Sequence, residues 1–294
     1  MSPIGRALSR VGVALAAIVT IAACGGGEGT TLYIGGVPDQ DLSLLEGRFE
    51  KLAEYLSQET DLDVRYLPST DYAAVVIGFR TDSLHLAWFG GLTGVQARLA
   101  VPHARALARR AGDERFHSVF VAPPDSGIES ITDLRDRSFS FGSESSTSGH
   151  LMPRFYITEA GLDPEEEFAA VNYSGSHDKT WKLVEAGAWE AGALNANVWE
   201  TRVKAGVIDL SKVDAFWSTP PYFDYHWVAR PDLDEVYGEG VTERLNAALL
   251  DLDAGRGGIQ AEIMDAFQAD RFIPTEEDNY GAIEQVARQL GIIK

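Results

Sequence analysis

Short apolar runs alternate with amphipathic stretches along most of the chain. Residues 31–37 have the length and apolar character of a buried strand, and residues 44–56 place their apolar side chains at helical spacing. Further strand candidates are residues 64–67 and 84–89, and a helix candidate at 72–79 lies between them. This alternation of strands and helices predicts a parallel α/β sheet.

The same alternation begins again after residue 117. In this second unit we predict strands at 117–122, 138–142, 168–173 and 191–195, and helices at 149–160 and 178–187. Three amphipathic helices, at 241–252, 260–269 and 279–290, complete the chain. The pattern therefore predicts two α/β units of similar size.

Prolines near Pro123 and Pro220 separate the two units and are interpreted as crossings between lobes. We predict that residues 31–120 and 223–294 form lobe 1, and that residues 121–222 form lobe 2. A cleft between two lobes is the usual place for a small ligand. The predicted fold class is thus α/β, two-lobed, with the ligand cleft between the lobes.

The first 23 residues have the features of a secretory signal peptide. Arg6 and Arg10 precede an apolar run, residues 11–23, that is short for a membrane span. Cys24, the only cysteine, ends a sequence that resembles a bacterial lipobox. We predict that the protein is exported to the cell envelope, that Cys24 is lipidated and that residues 24–30 form a flexible tether. The alternative is an uncleaved membrane anchor with an incidental cysteine.

Composition narrows the classes of partner. Apolar residues make up 45% of the chain, enough for a hydrophobic core, and the net charge is −19. This acidic balance argues against nucleic acid as a partner. It does not argue against a small anion, because local hydrogen-bond donors and helix N-termini decide anion recognition.

The first candidate site is the segment SFSFGSESSTSGHLMP, residues 138–153. A strand enters a loop rich in serine, threonine and glycine, and a helix leaves it. The hydroxyls of Ser146, Thr147 and Ser148, together with the N–H groups of the first helical turn, are suited to hold a compact oxyanion. The alternative is a solvated loop that only caps the helix.

The second candidate site is the turn SGSHD, residues 174–178, where another strand leads into another helix. In the first helical turn, His177 would donate one hydrogen bond when neutral and would carry charge when an anion stabilises its protonated form. The alternative is an exposed histidine in a capping region.

The local signatures of serine hydrolases, zinc hydrolases and P-loop enzymes do not occur in the sequence. We therefore expect no catalytic residue, no metal and no cofactor. A triad of His177 and Asp224 with Ser146 or Ser148 stays an alternative, because triads are defined by geometry and not by spacing.

Four segments together resemble the phosphate, phosphite and phosphonate family of ABC-importer substrate-binding proteins. They are Asp71-Tyr72-Ala73, Ala87-Trp88-Phe89-Gly90, Ser146-Thr147-Ser148-Gly149 followed by Pro153, and Ser176-His177. The resemblance implies a type II periplasmic-binding-protein fold and an ABC permease as partner. It also implies that the three hydroxyl residues and His177 bind the oxyanion from lobe 2, while Tyr72 and Phe89 approach it from lobe 1.

Longer segments, among them DYAAVV, LAWFGG and TPPYFDYHW, resemble the branch of this family that is named for selenate binding. Aminophosphonate binders of the family have a glutamate where this chain has Val198, so an ammonium group would lose its charge partner. Asp224 separates the remaining ligand classes: a buried carboxylate would repel selenate, but it would accept a hydrogen bond from a protonated phosphorus oxyanion. The sequence leaves open whether Asp224 and Tyr225 face the ligand.

The sequence thus predicts a monomeric, lipid-anchored protein that closes around a tetrahedral oxyanion and delivers it to an ABC permease. The candidate ligands are selenate, phosphate, phosphite and phosphonates. Two alternatives come from other classes: an oxyanion-sensing lipoprotein of a signalling system, and an exported serine hydrolase.

Overall fold

The computed structural model describes residues 30–294, so the predicted signal peptide and Cys24 lie outside the described residues. Its strands are β1 (Leu32–Gly36), β2 (Val64–Tyr66), β3 (Leu86–Phe89), β4 (Arg105–Ala106), β5 (Ala108–Arg110), β6 (Ser118–Ala122), β7 (Ser138–Phe141), β8 (Ala170–Tyr173), β9 (Ala191–Asn195), β10 (Asp214–Ser218), β11 (His226–Ala229) and β12 (Phe272–Pro274). Its α-helices are α1 (Leu42–Thr60), α2 (Tyr72–Arg80), α3 (Gly91–Ala100), α4 (Met152–Glu159), α5 (Pro164–Glu167), α6 (His177–Glu185), α7 (Ala196–Lys204), α8 (Leu233–Tyr237), α9 (Val241–Asp251), α10 (Gly258–Ala266) and α11 (Gly281–Gln289). Between residues 30 and 294, none of the helices combines the length and apolar character that a membrane span requires.

The first sheet has the strand order β2, β1, β3, β11, β4. β1 runs parallel to β2 and β3, as predicted, with Ile34 opposite Leu86. β11 runs antiparallel to β3 and β4, so the prediction of a purely parallel sheet is wrong for this strand. The cause is topological, since β11 belongs to the chain that returns from the second lobe and enters the sheet in the opposite direction.

Aromatic side chains fill the core on one face of the first sheet. Trp88 of β3 and Trp227 of β11 lie opposite each other, with ring centroids 5.4 Å apart. Phe267 packs against both rings and against Phe49 of α1, which lies edge-on to Trp227. Such rings contribute large buried areas and specific packing geometry. The core therefore fixes β3, and with it the position of the segment that follows this strand.

The second sheet has the strand order β10, β6, β9, β7, β8. β7 runs parallel to β8 and β9, while β6 pairs antiparallel with β9 and β10. Phe139 and Phe141 of β7 are fully buried and pack edge-on at 4.8 Å. Because β7, β8 and β9 are parallel, their carboxyl ends lie along the same edge of the sheet.

Two antiparallel segments connect the lobes. Phe116 and Tyr222 exchange backbone hydrogen bonds of 2.9 and 3.0 Å, and the Thr219 N–H donates to Ser118 O at 3.0 Å. β6 begins at Ser118 and lies wholly in the second sheet, so the first crossing precedes the lobe boundary predicted at residue 121. Pro123, which suggested that boundary, follows β6 and marks the end of a strand.

The helix predicted at 149–160 begins earlier and is irregular. A π-helical turn, Thr147–Leu151, precedes α4, and Pro153 lies in the first turn of α4. Single π-helical turns widen the helix and often occur at functional sites. By contrast, α3 was not predicted, because Gly91 and Gly94 lower the helix propensity of its sequence.

The close approach of Gly94 in α3 to His226 in β11 gives a stability prediction. A Cβ atom at residue 94 would lie 2.3 Å from the His226 ring, whereas one at exposed Gly47 in α1 would meet nothing within 4 Å. We expect Gly94→Ala to lower the free energy of unfolding by about 1 to 3 kcal/mol through overpacking. The control Gly47→Ala should raise it by up to about 1 kcal/mol, because alanine favours the helix. Urea unfolding followed by circular dichroism measures both, and equal stability of the two variants would contradict the packing described.

Candidate functional site

Buried polar side chains from both lobes meet at the strand ends of the two sheets. In lobe 1, residues 37–41 follow β1 and Gly90 follows β3; in lobe 2, residues 142–151 follow β7, residues 174–176 follow β8, and Asn195 ends β9. The carboxyl ends of parallel strands are the usual ligand-binding edge of an α/β sheet. The polar side chains gathered here are Asp39, Tyr72, Ser146, Thr147, Ser148, His177, Asn195, Asp224 and Tyr225, all of them buried.

The serine-rich loop is held in a narrow turn by its own groups. Ser146 caps the π-helical turn, since its Oγ accepts a hydrogen bond from the Gly149 N–H at 2.9 Å. The Gly142 N–H donates to Gly149 O at 2.7 Å, and a Cβ atom at Gly149 would lie 3.0 Å from the Gly142 Cα. A side chain at residue 149 would force these two segments apart. The Ser-Thr-Ser-Gly sequence therefore needs its glycine for the backbone to close.

Thr147 connects the loop of lobe 2 to lobe 1. Its Oγ1 accepts a hydrogen bond of 2.9 Å from the Leu92 N–H, in the first turn of α3. Beside it, Asp224 Oδ1 accepts a hydrogen bond of 2.7 Å from the Gly91 N–H. The N-terminus of α3 thus binds one hydroxyl and one carboxyl group. A helix N-terminus favours such acceptors, because its first N–H groups are unpaired and its dipole is positive there.

Asp224 is fully buried at this junction. Burial raises its pKa to about 7, although the Gly91 N–H and the Thr147 hydroxyl, which favour the ionised form, oppose the shift. Its second oxygen, Oδ2, has no hydrogen-bond partner among the described residues. The same is true of Ser148 Oγ in lobe 2 and of Asp39 Oδ1 in lobe 1. Buried polar atoms of this kind require an explanation, and a ligand that supplies the missing hydrogen bonds is one.

A second polar group surrounds His177. Its Nε2 lies 3.3 Å from the Tyr225 hydroxyl and 3.5 Å from the Tyr72 hydroxyl, both of which come from lobe 1. Burial lowers the pKa of His177, and the carboxylates of Asp39 and Asp178 only oppose this shift. Burial likewise raises the pKa of Tyr72 well above its usual value, with the nearby Ser146 hydroxyl opposing. At neutral pH the group therefore consists of a neutral imidazole and protonated phenols.

Residues 39–41 of lobe 1 bind the start of α6 in lobe 2. The His177 N–H donates to Asp39 O at 3.0 Å, and the Asp41 N–H donates to Asp178 Oδ2 at 3.1 Å. Arg202 of α7 donates two hydrogen bonds of 2.8 Å to the same Asp178 carboxylate. Burial alone would raise the pKa of Asp178, but the bonds from Arg202 and Trp181 hold it below its usual value. The ion pair of Asp178 and Arg202 therefore stabilises this contact between the lobes.

The structure brings most of the predicted site residues together. Ser146, Thr147 and Ser148 lie on the loop, Tyr72 and His177 contact each other across the lobes, and Asp224 lies beside Thr147. Phe89 packs edge-on against Phe79 at 5.5 Å in the core of lobe 1. Its role in ligand binding stays a prediction, and so does lipidation at Cys24.

Sequence reasoning missed Asp39 and Asn195, and it left Tyr225 undecided. Asp39 follows the carboxyl end of β1, a position that could have indicated it, and Asn195 ends the segment AGALN. In the structure Tyr225 stacks on Trp88 with ring centroids 5.7 Å apart and an interplanar angle of 17°. Its hydroxyl donates to Asp39 Oδ2 at 2.9 Å within lobe 1 and lies 3.3 Å from His177 Nε2 of lobe 2, which places Tyr225 at the contact between the lobes.

The hydrolase alternative has no support in this geometry. His177 contacts two phenols, and Asp224 binds the N-terminus of α3 and not the imidazole. The triad of His177, Asp224 and a loop serine is thus not assembled. Within residues 30–294, His, Cys, Asp and Glu side chains form no group of three or more that could hold a metal ion.

Comparison with known proteins identifies the family. The family model described as "ABC transporter, phosphonate, periplasmic substrate-binding protein" matches residues 34–280. The chain belongs to this family. Members of the phosphonate-binding family are exported, periplasmic proteins that work with ABC permease subunits and are not enzymes, so the prediction of an exported, non-catalytic binding protein is confirmed.

Individual relatives agree with this assignment. The probable ABC transporter phosphite binding protein PhnD1 of Prochlorococcus marinus is 43% identical over 270 residues, which cover 90% of this chain and 91% of the relative. Its crystal structure with methylphosphonate superimposes with a TM-score of 0.87, at 42% identity, and covers 90% of this chain and 99% of that one. The phosphate-import protein PhnD of Mycolicibacterium smegmatis is 24% identical and covers 73% of this chain and 74% of its own length. The predicted type II, two-lobed fold is confirmed.

The raised pKa of Asp224 predicts how stability depends on pH. Between about pH 4 and 7 the folded protein retains a proton that an unfolded aspartate, with a pKa of about 3.9, has already lost. Because the aspartate is ionised in the unfolded state and protonated in the folded state, the free energy of unfolding of the ligand-free protein falls by about 1.4 kcal/mol per pH unit across this interval. Above pH 7 both states are ionised, and Asp224 lowers the free energy no further. We expect Asp224→Asn to gain stability over the wild type across this interval and to keep the gain at higher pH.

Urea unfolding of both proteins at several pH values measures the difference, in which the titration of all other groups cancels. A difference that does not change with pH would contradict the pKa of about 7 assigned to Asp224.

Proposed function

We propose that this protein binds a phosphorus oxyanion that can carry a proton, such as phosphite, methylphosphonate or hydrogen phosphate, and presents it to an ABC permease. The observation that carries this proposal is the Asp224 carboxyl group, which is buried beside Thr147 of the serine-rich loop and whose Oδ2 has no hydrogen-bond partner in the part of the chain that the structure describes. A group with a pKa of about 7 in that position shares one proton with its ligand. Selenate and sulfate are deprotonated at neutral pH and offer it no proton, so they are disfavoured.

The donors proposed for the oxyanion come from both lobes and are uncharged. Ser146, Thr147, Ser148 and His177 face the site from lobe 2, and Tyr72 faces it from lobe 1; Phe89 is proposed as a wall of the cleft. Ser148 is the strongest candidate among the hydroxyls, because its Oγ is buried and accepts or donates no hydrogen bond within residues 30–294. Neutral donors hold the oxyanion without a counter-ion, and the proton that the oxyanion shares with Asp224 lowers the charge that they must stabilise.

Relatives support the same ligand class. The Prochlorococcus marinus protein is named as phosphite binding and was crystallised with methylphosphonate, and the Mycolicibacterium smegmatis protein is named for phosphate import. These names describe those proteins, and they make phosphite, methylphosphonate and phosphate the first ligands to test.

Isothermal titration calorimetry of the purified protein tests the proposal against selenate, sulfate, phosphate, phosphite, methylphosphonate and 2-aminoethylphosphonate. We expect binding of phosphorus oxyanions and no tight binding of selenate or sulfate. Thr147→Ala and Ser148→Ala should each weaken binding by about 1 to 3 kcal/mol, because each removes a hydroxyl group that would hydrogen-bond the oxyanion or Asp224.

Ser145→Ala is the matched control, because Ser145 lies in the same loop and its backbone N–H, which donates to Ser143 Oγ, is retained in the variant. The proposed site would be wrong if Thr147→Ala and Ser148→Ala bound like the control. Tight binding of selenate, unaffected by pH above neutrality, would overturn the choice of ligand class.

Val198 provides a test of side-group specificity. It is buried in the first turn of α7, where its N–H donates to Asn195 Oδ1 at 3.1 Å, and the Asn195 side chain in turn reaches the Tyr225 hydroxyl. We expect Val198→Glu to improve the affinity for 2-aminoethylphosphonate relative to methylphosphonate by at least about tenfold, because the carboxylate supplies a partner for the ammonium group.

Val207→Glu, on the exposed surface of lobe 2, adds the same charge away from the site and serves as the control. An unchanged ratio of the two affinities in a folded Val198→Glu protein would show that residue 198 does not adjoin the ligand.

Three further features complete the proposal. We propose that Cys24 carries the lipid anchor, that the protein acts as a monomer, and that the lobes divide near the predicted boundaries, with the first crossing placed before β6. Transport is preferred to the sensing alternative because the family pairs with permeases.

A further inference from the structure

Hydrogen-bond direction is not obvious in the group around His177, because phenols and neutral imidazoles both donate and accept. Three groups in the cluster have no such choice. The backbone N–H of Asn195 and the side-chain amide Nδ2 of Asn195 can only donate, and a carboxylate at Asp39 can only accept. These fixed groups determine the direction of the others.

Two contacts hold the tautomer of His177, and the first is with Asn195. The Asn195 N–H points to His177 Nδ1 at 3.4 Å, a long bond that favours an unprotonated Nδ1 but leaves the tautomer dependent on the partner of Nε2 as well. In a neutral imidazole the proton then resides on Nε2. His177 Nε2–H is therefore a donor, and it faces the hydroxyls of Tyr225 at 3.3 Å and Tyr72 at 3.5 Å.

The direction of Tyr225 follows from Asp39. The Tyr225 hydroxyl donates its single proton to Asp39 Oδ2 at 2.9 Å, which leaves only its lone pairs for other partners. Those lone pairs accept from His177 Nε2–H and from Asn195 Nδ2, the latter at 3.4 Å. Tyr225 is thereby unable to compete for a proton acceptor in the site.

Tyr72 keeps a hydroxyl proton that is not given to Asp39. It shares the His177 Nε2–H with Tyr225 as a second acceptor, and Ser146 is another neighbour of its hydroxyl. The Tyr72 hydroxyl can therefore donate toward the serine-rich loop, where the oxyanion is proposed to bind. Without the fixed direction at Asp39, Tyr225 and Tyr72 could exchange the roles of donor and acceptor.

We propose that Asp39 is a positioning residue which, through Tyr225, keeps His177 as an Nε2–H donor and leaves the Tyr72 hydroxyl proton for the ligand. The predicted effect on ligand affinity rests on the proposed function. The hydrogen-bond directions do not depend on the proposed function. Asp39 also binds the His177 N–H through its backbone carbonyl, so it holds both ends of the relay in place.

Buried cations compensate a carboxylate at Asp39. Burial lowers the pKa of Arg48, and the charge of Asp39 opposes that shift. Arg110 lies over the Tyr225 ring, 5.1 Å from its centroid, and donates to Asp113 at 2.7 Å. Because Arg48 and Arg110 together balance the carboxylates of Asp39 and Asp113, the Asp39 carboxylate fixes hydrogen-bond direction without adding net negative charge to the oxyanion site.

Nitrogen-15 NMR of the histidine side chains, with His177 assigned from the spectrum of His177→Asn, tests the relay in the ligand-free protein. We expect His177 to be a single Nε2–H tautomer in the wild type. Asp39→Asn, whose amide can donate to Tyr225, should give a mixture of tautomers, and so should Tyr225→Phe, which interrupts the relay without changing Asp39. Asp61→Asn, which makes the same charge change at an exposed position of lobe 1, should retain the wild-type spectrum.

Calorimetry with methylphosphonate is the second measurement. Asp39→Asn and Tyr225→Phe should each weaken binding by about 10- to 100-fold, and the double variant should bind no more weakly than the weaker single variant, because both act through one chain of hydrogen bonds. An Nδ1–H tautomer in the wild type, or an unchanged tautomer in both variants, would overturn the relay. An Nε2–H tautomer that responds to both variants, in a protein that binds no phosphorus oxyanion, would support the relay and overturn the proposed function instead.

Discussion

Buried polar groups must find hydrogen-bond partners, and in this protein several of those partners lie in the opposite lobe. Thr147 accepts from the first turn of α3, His177 donates its N–H to Asp39, and Asp178 accepts from Asp41. A polar group left unpaired in a dry interface costs about 1 to 3 kcal/mol, so each lobe completes the other. The positions of Thr147 and His177, two of the proposed ligand donors, depend on this mutual requirement, because both residues are bonded across the cleft.

The strongly acidic chain and its anionic ligand class are compatible for a local reason. The groups that converge between the lobes are neutral donors, and their neighbouring carboxylates are either paired, as Asp113 is with Arg110, or protonated over part of the neutral range, as Asp224 is. Surface charge acts over long distances and is screened by salt, whereas these contacts act at about 3 Å inside the protein. The net charge of the whole protein therefore does not indicate the charge of its ligand.

Local sequence patterns carried much of the fold and part of the site. The Ser-Thr-Ser-Gly loop was predictable because its chemistry and its turn reside in one short segment, and the same holds for the start of α6 at His177. Asp39 was not predictable in this way, since its role comes from Tyr225, which is far away in sequence and is brought near by β11. The antiparallel direction of β11 is a consequence of the returning chain, and the core position of Phe89 follows from its packing against Phe79 of α2. The first crossing precedes β6 because β6 already belongs to the second sheet. Such features depend on which elements become neighbours, and periodicity does not encode that.

The paired crossing segments determine how the lobes can move. Phe116 and Tyr222 are bonded to each other in both directions, with further bonds from Thr219 to Ser118 and from Asp224 to Asp113. Such a two-stranded ribbon bends across its flat face, but sliding one strand past the other would break several backbone hydrogen bonds at once. Bending at this ribbon is therefore the lobe motion that leaves these hydrogen bonds intact. Asp224 donates its N–H to Asp113 O within the ribbon, so the residue proposed to sense the ligand's proton is also anchored at the connection between the lobes.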